Sequence, residues 1–246
     1  MKQGDFSALA DDYARYRPGY ADSVRDALAR LAPSTSLAVD VGAGTGIWTR
    51  MLSAKFSKVI AVEPDDNMRA HGRAGGVAEW RKGTGENTGI EAEVADLVSM
   101  ASSFHWVDFD RGTQEFHRLL KPGGIFVALW NPRLIEANPI LVEIEHQLKV
   151  LCPTLKRVSS GRSGITDTLA DRLDASPFFR DPIYLEAKHT VEQSVDHYIG
   201  AWRSVNDVQA QLGPDNFNKF LDFAAAKIGR SVTTTYLTRA WCARRD

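Results

Sequence analysis

Short apolar runs alternate with stretches whose apolar positions recur every three or four residues, and this alternation covers the first half of the chain. The strand signals predict strands at 37–41, 58–62, 77–82, 94–99 and 124–130, with helices near 46–55, 65–73 and 109–120 between them. Asp22 to Ala32 carries Val24, Leu28 and Leu31 at i, i+4 and i+7, the spacing of an amphipathic helix. Strand and helix alternating in this way builds βαβ units and a parallel sheet. Pro122-Gly123-Gly124 is the turn that stops the third helix before the fifth strand.

After Trp130 the alternation fails. Residues 134–176 read as mostly helical, with Leu141, Ile144, Leu148 and Leu151 on one stripe. A strand near 183–189, helices at 193–204 and 214–229, and a strand near 232–241 follow. The expected fold is α/β, a mostly parallel mixed sheet with an antiparallel last strand. The segments 134–176 and 193–229 are too long for plain connections and belong to insertions at 132–181 and 190–230. With residues 1–32, which carry Phe6, Tyr13, Tyr16 and Tyr20, they are expected to cap a core at 33–131 within one domain of residues 1–246.

The run Leu37-Ala-Val-Asp-Val-Gly-Ala-Gly-Thr-Gly46 is a buried strand entering a glycine turn and then a helix. Gly42, Gly44 and Gly46 let a ligand approach the backbone, and the helix offers unpaired N–H groups to whatever lies in the turn. Ile47 stands where a dinucleotide-binding turn would carry its third glycine. Glu63, at the tip of the second strand and 17 residues after Gly46, can accept from both hydroxyls of a ribose. The expected ligand is therefore a nucleoside with free hydroxyls. A nicotinamide-dependent oxidoreductase would use a similar turn and acid, and a turn built only for packing is the structural alternative.

VDVGAGTG and VIAVEPDDNM, followed by GTGENT, EVADLVSMASSFHWVD and EFHRLLKPGGIFVALWN, resemble the motifs of class I S-adenosylmethionine-dependent methyltransferases. The lead-in FSALADDYARYRPGY, the FHW after the fourth strand and the tail resemble a methyltransferase type 11 subgroup, with loose similarity to trans-aconitate methyltransferases. This resemblance implies a Rossmann-like seven-stranded sheet, S-adenosylmethionine as cofactor and methyl transfer to a small-molecule acceptor by direct displacement. It places Asp40 near the cofactor's ammonium, or else tying the loop backbone. Pro64 and Met68 lie beside the ribose, Met68 walling the adenine or serving as helix core, while Gly85 and Glu86 meet the adenine edge. Tyr13 and Arg17 would supply donors to the cofactor's carboxylate, unless Arg17 is a solvated helix position. Ser102, Ser103, Phe104, His105 and Trp106 leave the fourth strand toward the sulfonium. His105 is the candidate general base, or a loop-orienting residue. Trp106, Trp130, Asn131, Arg133, Tyr198, Trp202, Arg203 and Tyr236 are the acceptor-side candidates. A cofactor-binding module without catalysis is a further alternative.

Composition removes other classes. A net charge of −1 offers no footprint for nucleic acid. No apolar run is long enough to span a membrane. Cys152 and Cys242 are too few for a disulfide framework, and the histidines show no metal-ligand spacing, so no metal is expected. A cytoplasmic monomer or homodimer is the expectation.

Overall fold

The computed structural model describes residues 10–156 and 164–246. Phe6, the first residues of the expected lid and residues 157–163 lie outside them. The helices are α1 (Ala10–Tyr16), α2 (Asp22–Leu31), α3 (Ile47–Ser53), α4 (Asp66–Ala74), α5 (Phe109–Leu119), α6 (Pro139–Leu151), α7 (Ile165–Asp174), α8 (Val195–Arg203) and α9 (Asn206–Ile228). The strands are β1 (Leu37–Val41), β2 (Lys58–Val62), β3 (Glu79–Arg81), β4 (Ala95–Ala101), β5 (Leu120–Trp130), β6 (Phe179–Ser194) and β7 (Ser231–Arg245).

All seven strands form one sheet in the order β3-β2-β1-β4-β5-β7-β6. β1 to β5 are parallel, and β7 runs against both of its neighbours, so the antiparallel last strand of the sequence reading is present. Alternation along β5 sorts its side chains to two layers. Ile125, Val127 and Leu129 join Leu28, Trp48 and Leu52 on one face, while Phe126, Ala128 and Trp130 join Phe104 and Phe116 on the other. A third apolar cluster ties α6, α8 and α9 together through Leu141, Ile144, Leu148, Trp202 and Phe220.

Several boundaries depart from the sequence pattern. β6 spans sixteen residues rather than seven, because its exposed edge carries polar residues such as Glu186, Lys188 and Glu192 that hide a strand from apolar patterning. The segment 134–176 is not one helical body. α6 joins the third cluster, whereas Leu169 and Leu173 of α7 pack on the sheet beside Phe126 and Phe179. α9 starts earlier than 214, with a break at Gly213 (φ 69°, ψ 170°) before Pro214, which is compatible with a new helix start but not with helix interior.

Candidate active site

The carboxyl ends of β1, β2 and β4 converge where ligands bind in open α/β sheets. β1 runs into Gly42, Ala43 and Gly44, held against β2 by Gly42 N–H and Ala43 N–H donating to the Val62 carbonyl. Gly42 (φ 66°) is required by space as well as conformation, since a Cβ there would meet Ser103 Oγ at 2.7 Å. Gly44 (φ 56°) faces open space, with nothing within 4 Å of a Cβ. Gly46 serves α3 instead: it stands at the helix start, where a Cβ would crowd the Trp80 ring at 3.0 Å.

Glu63 locks this turn to the next loop. Its carboxylate accepts from Gly44 N–H at 2.8 Å and from Asp65 N–H at 2.9 Å. Burial holds its carboxyl above the usual range, against the lowering effect of those two N–H groups. Asp65 then caps α4 by accepting from Met68 N–H. Glu63, Pro64, Met68, Gly85 and Glu86 line one cavity of about 390 Å³, together with Gly42, Gly44 and Ser102. Glu86 is fixed by accepting from Asp108 N–H at 2.9 Å, and Gly85 by the Val107 side chain, which a Cβ would meet at 2.5 Å.

A second cavity, about 150 Å³, adjoins the first. It is lined by Tyr13 and Arg17 from the amino end, His105, Trp106, Trp130 and Arg133 from the sheet edge, and Tyr198, Trp202 and Tyr236 from the tail. Tyr13, Gly42, Gly44, Ser102 and Trp106 border both spaces. Arg133 stacks over Trp202 at 4.1 Å, donates to Tyr198 Oη at 3.1 Å and pairs with Glu145 at 3.3 Å. Arg17 stacks over Tyr13 and donates to the hydroxyl (2.7 Å) and carbonyl (3.2 Å) of Ser204, at the end of α8. Asn131 lines the cavity but is engaged on both sides, donating to the Gly19 carbonyl and accepting from Thr238 Oγ1.

His105 sits on the 3-10 turn Phe104–Trp106, and both ring nitrogens are buried with no partner among the described residues. That burial pushes its pKa down to about 4, so the imidazole is neutral at physiological pH. Trp130 Nε1 is likewise buried and unpartnered among the described residues.

Three sequence candidates fall outside the cavities: Gly46, which serves α3, Asp40 and Arg203. Asp40 is fully buried, accepting from Thr49 Oγ1 of α3 at 2.6 Å and from Ser99 Oγ of β4 at 3.3 Å. Arg203 is exposed and lines a separate groove with Arg15 and His197. One helical step from Trp202 turns it about 100° away from the cavity. Tyr20, by contrast, lines the second cavity and had no assigned role in the sequence reading, although it closes the R-P-x-Y lead-in. Among the described residues no cluster of His, Cys, Asp or Glu has the arrangement of a metal site.

Residues 39–128, which carry most of the first cavity's lining and part of the second's, match the family model described as a methyltransferase domain. That segment is similar to a methyltransferase domain. Its sequence is 35% identical over 129 residues to an uncharacterized methyltransferase of Mycobacterium tuberculosis, covering 52% of each chain. It is 32% identical over 94 residues to a ubiquinone/menaquinone biosynthesis C-methyltransferase of Rubrivivax gelatinosus, covering 37% of this chain and 38% of that one. The chain spans about half the length of the curated relatives it matches. The fold of a candidate type II methyltransferase from Anaeromyxobacter dehalogenans superposes with a TM-score of 0.71 at 22% identity, over 93% of this chain and 98% of that one. The matched segment contains the glycine turn, Glu63 and the β4 edge.

Proposed function

We propose that this protein transfers the methyl group of S-adenosylmethionine to a small-molecule acceptor. The single observation that carries the reading is the pair of adjoining cavities. One is bordered by Glu63 and the glycine turn, the other by His105, Arg17 and Arg133, and Ser102 stands between them. The residues fit an adenosyl group. Gly44 leaves open space above the turn, Glu63 offers a carboxylate to ribose hydroxyls, and Met68 gives an apolar wall. When bound, the cofactor supplies an electrophilic methyl on a positively charged sulfur, with a neutral thioether as leaving group.

The task left to the chain is alignment and exclusion of water, which is worth up to about 7–11 kcal/mol in well-oriented reactions. Among the described residues, the Arg17 and Arg133 guanidinium groups line the acceptor cavity with no carboxylate in its lining, Glu145 pairing with Arg133 at 3.3 Å. That charge favours an acceptor attacking through an ionised oxygen, a carboxylate above all, and disfavours a protonated amine. Neutral His105 then serves as a hydrogen-bond partner to the acceptor; a pKa near 4 makes it a weak base. The same reading makes the protein a cytoplasmic monomer or homodimer acting without nucleic acid. It is supported by the near-zero net charge and by the lack, among the described residues, of a helix long and apolar enough to cross a membrane.

Titration calorimetry with S-adenosylhomocysteine and with NADH tests the proposal. S-adenosylhomocysteine is expected to bind and NADH not to. Binding of NADH alone would replace this reading with that of a nicotinamide enzyme.

A further inference from the structure

Tyr20 and Ser102 are far apart in sequence, yet their hydroxyl oxygens share a hydrogen bond of 2.9 Å. Ser102 borders both cavities, as do Tyr13, Gly42, Gly44 and Trp106, and Tyr20 lines the smaller one, so this oxygen pair stands at their shared border. Neither residue arrives there by loose packing. Ser102 holds a left-handed backbone (φ 57°) that an ordinary side chain rarely adopts, fixed by its N–H donating to the Leu129 carbonyl at 2.7 Å. Such a conformation at the end of β4 points to a functional constraint.

Tyr20 is held from both sides. Asn131 Nδ2 donates to the Gly19 carbonyl at 2.9 Å, and Ala21 N–H donates to Thr238 Oγ1 at 2.8 Å. Its ring packs edge-on against Trp48, with centroids 5.2 Å apart. Burial raises the phenol's pKa, so the hydroxyl stays protonated and neutral. Whichever oxygen donates, each keeps a lone pair for a third group.

We propose that the Tyr20 and Ser102 hydroxyl oxygens form the seat of the transferred methyl, receiving its polarised hydrogens as C–H···O contacts. The inference rests on the methyl-transfer reading above and adds a residue to it. A methyl passing from one cavity to the other crosses their shared border, and Ser102 is part of that border. Carbon bound to a positive sulfur carries more acidic hydrogens than an ordinary methyl, which strengthens contacts of this kind. The hydroxyls attract the methyl without adding a formal charge. In the transfer itself, the acceptor oxygen forms its bond to the methyl carbon as the carbon–sulfur bond breaks. The electron pair stays on sulfur, and the hydroxyls neither gain nor lose a proton.

The test needs no acceptor. S-adenosylmethionine carries the methyl on a positive sulfur, and S-adenosylhomocysteine is the neutral thioether without it. The ratio of their dissociation constants therefore reports contacts to the methyl and its sulfonium, and the methyl resonance isolates the methyl. Tyr20→Phe keeps the ring against Trp48, and Ser102→Gly suits the left-handed backbone, so both variants are expected to fold. Each should weaken S-adenosylmethionine about two- to fivefold while leaving S-adenosylhomocysteine within twofold, as expected for losing one such contact. In addition, the methyl proton resonance of bound [methyl-13C]S-adenosylmethionine should move upfield in each variant relative to wild type. Equal weakening of both ligands would show a merely structural role and overturn the inference while leaving the proposed function standing, and so would no change in either. If wild-type protein binds neither ligand, the proposed function fails and this inference falls with it.

Discussion

The Tyr16 ring of α1 lies so close over Gly200 of α8 that a Cβ on Gly200 would stand 2.4 Å from its Cδ2 and 2.5 Å from its Cγ. These atoms are at the root of the ring, so a side-chain adjustment cannot relieve the clash and the helix itself must shift. α1 is held at two further points, by Arg17 on Ser204 and by Asp11 paired with His71 of α4 at 3.2 Å. It therefore bridges α8 to α4 beside both cavities. Gly200→Ala is expected to release it. Hydrogen exchange over residues 10–17 should accelerate, and S-adenosylhomocysteine should bind several-fold more weakly. The melting temperature should change little, because alanine is the better helix residue and offsets part of the lost packing. Unchanged exchange would show that α1 is not anchored through Tyr16.

How much of this was readable beforehand differs between the two halves of the chain. β1, β2 and the turn at 42–46 follow from apolar runs and glycines, both local signals. β6 and β7 depend on pairing with each other along an exposed edge, from Phe179↔Arg245 to Ser194↔Ser231, and such non-local pairing leaves little trace in composition. Glu63 was legible because a strand tip fixes where its side chain can go. Arg203 was misplaced because a short helix gives no warning of which residue faces inward. Tyr20 closes the R-P-x-Y motif, but its partner Ser102 lies 82 residues away, and only the fold joins them.

Glu63 accepts two backbone N–H groups and borders the larger cavity, so its removal has separable effects. Glu63→Gln keeps an acceptor oxygen for one of those groups but loses the charge that binds ribose hydroxyls. Hydrogen bonds to charged groups contribute about 1.5–3 kcal/mol, so S-adenosylhomocysteine affinity should fall roughly ten- to hundredfold. Glu63→Ala should weaken binding at least as much and lower stability as well, by orphaning Gly44 N–H and Asp65 N–H. Calorimetry and denaturant unfolding separate the two effects. Wild-type affinity in the Gln variant would remove Glu63 from the cofactor site.

His105 makes a prediction about pH. Burial lowers its folded pKa to about 4, while in the unfolded chain it titrates near 6.5. Between those values the unfolded state binds the proton and the folded state does not. The residue therefore favours folding above about pH 6.5, and that contribution is lost as pH falls toward 4. Imidazole NMR should show His105 titrating below pH 5 in the free protein. A pKa at or above the ordinary value would mean that the ring is hydrated or paired with an anion. The cavity would then offer a stronger base than its burial allows.

Asp40 shifts in the opposite direction and supplies an independent check on the turn. Its carboxyl is fully buried under Gly42 and Gly44, and desolvation raises its pKa to about 7 despite hydrogen bonds from Thr49 and Ser99. In the unfolded chain it ionises near 3.9. From about pH 4 to pH 7 the folded state holds a proton that the unfolded state has released, so this group's contribution to stability declines as pH rises through that window. The full difference approaches about 4 kcal/mol above pH 7, at 1.36 kcal/mol per pKa unit. Asp40→Asn keeps hydrogen-bonding capacity toward both hydroxyls and cannot ionise. Relative to wild type it should gain stability between pH 5 and pH 8 in urea unfolding, because only the aspartate must be charged in a buried place at the higher pH. A wild-type minus variant difference that does not change with pH would mean that Asp40 ionises freely. Its carboxylate would then be available to face a cationic ligand across the turn rather than sealed beneath it.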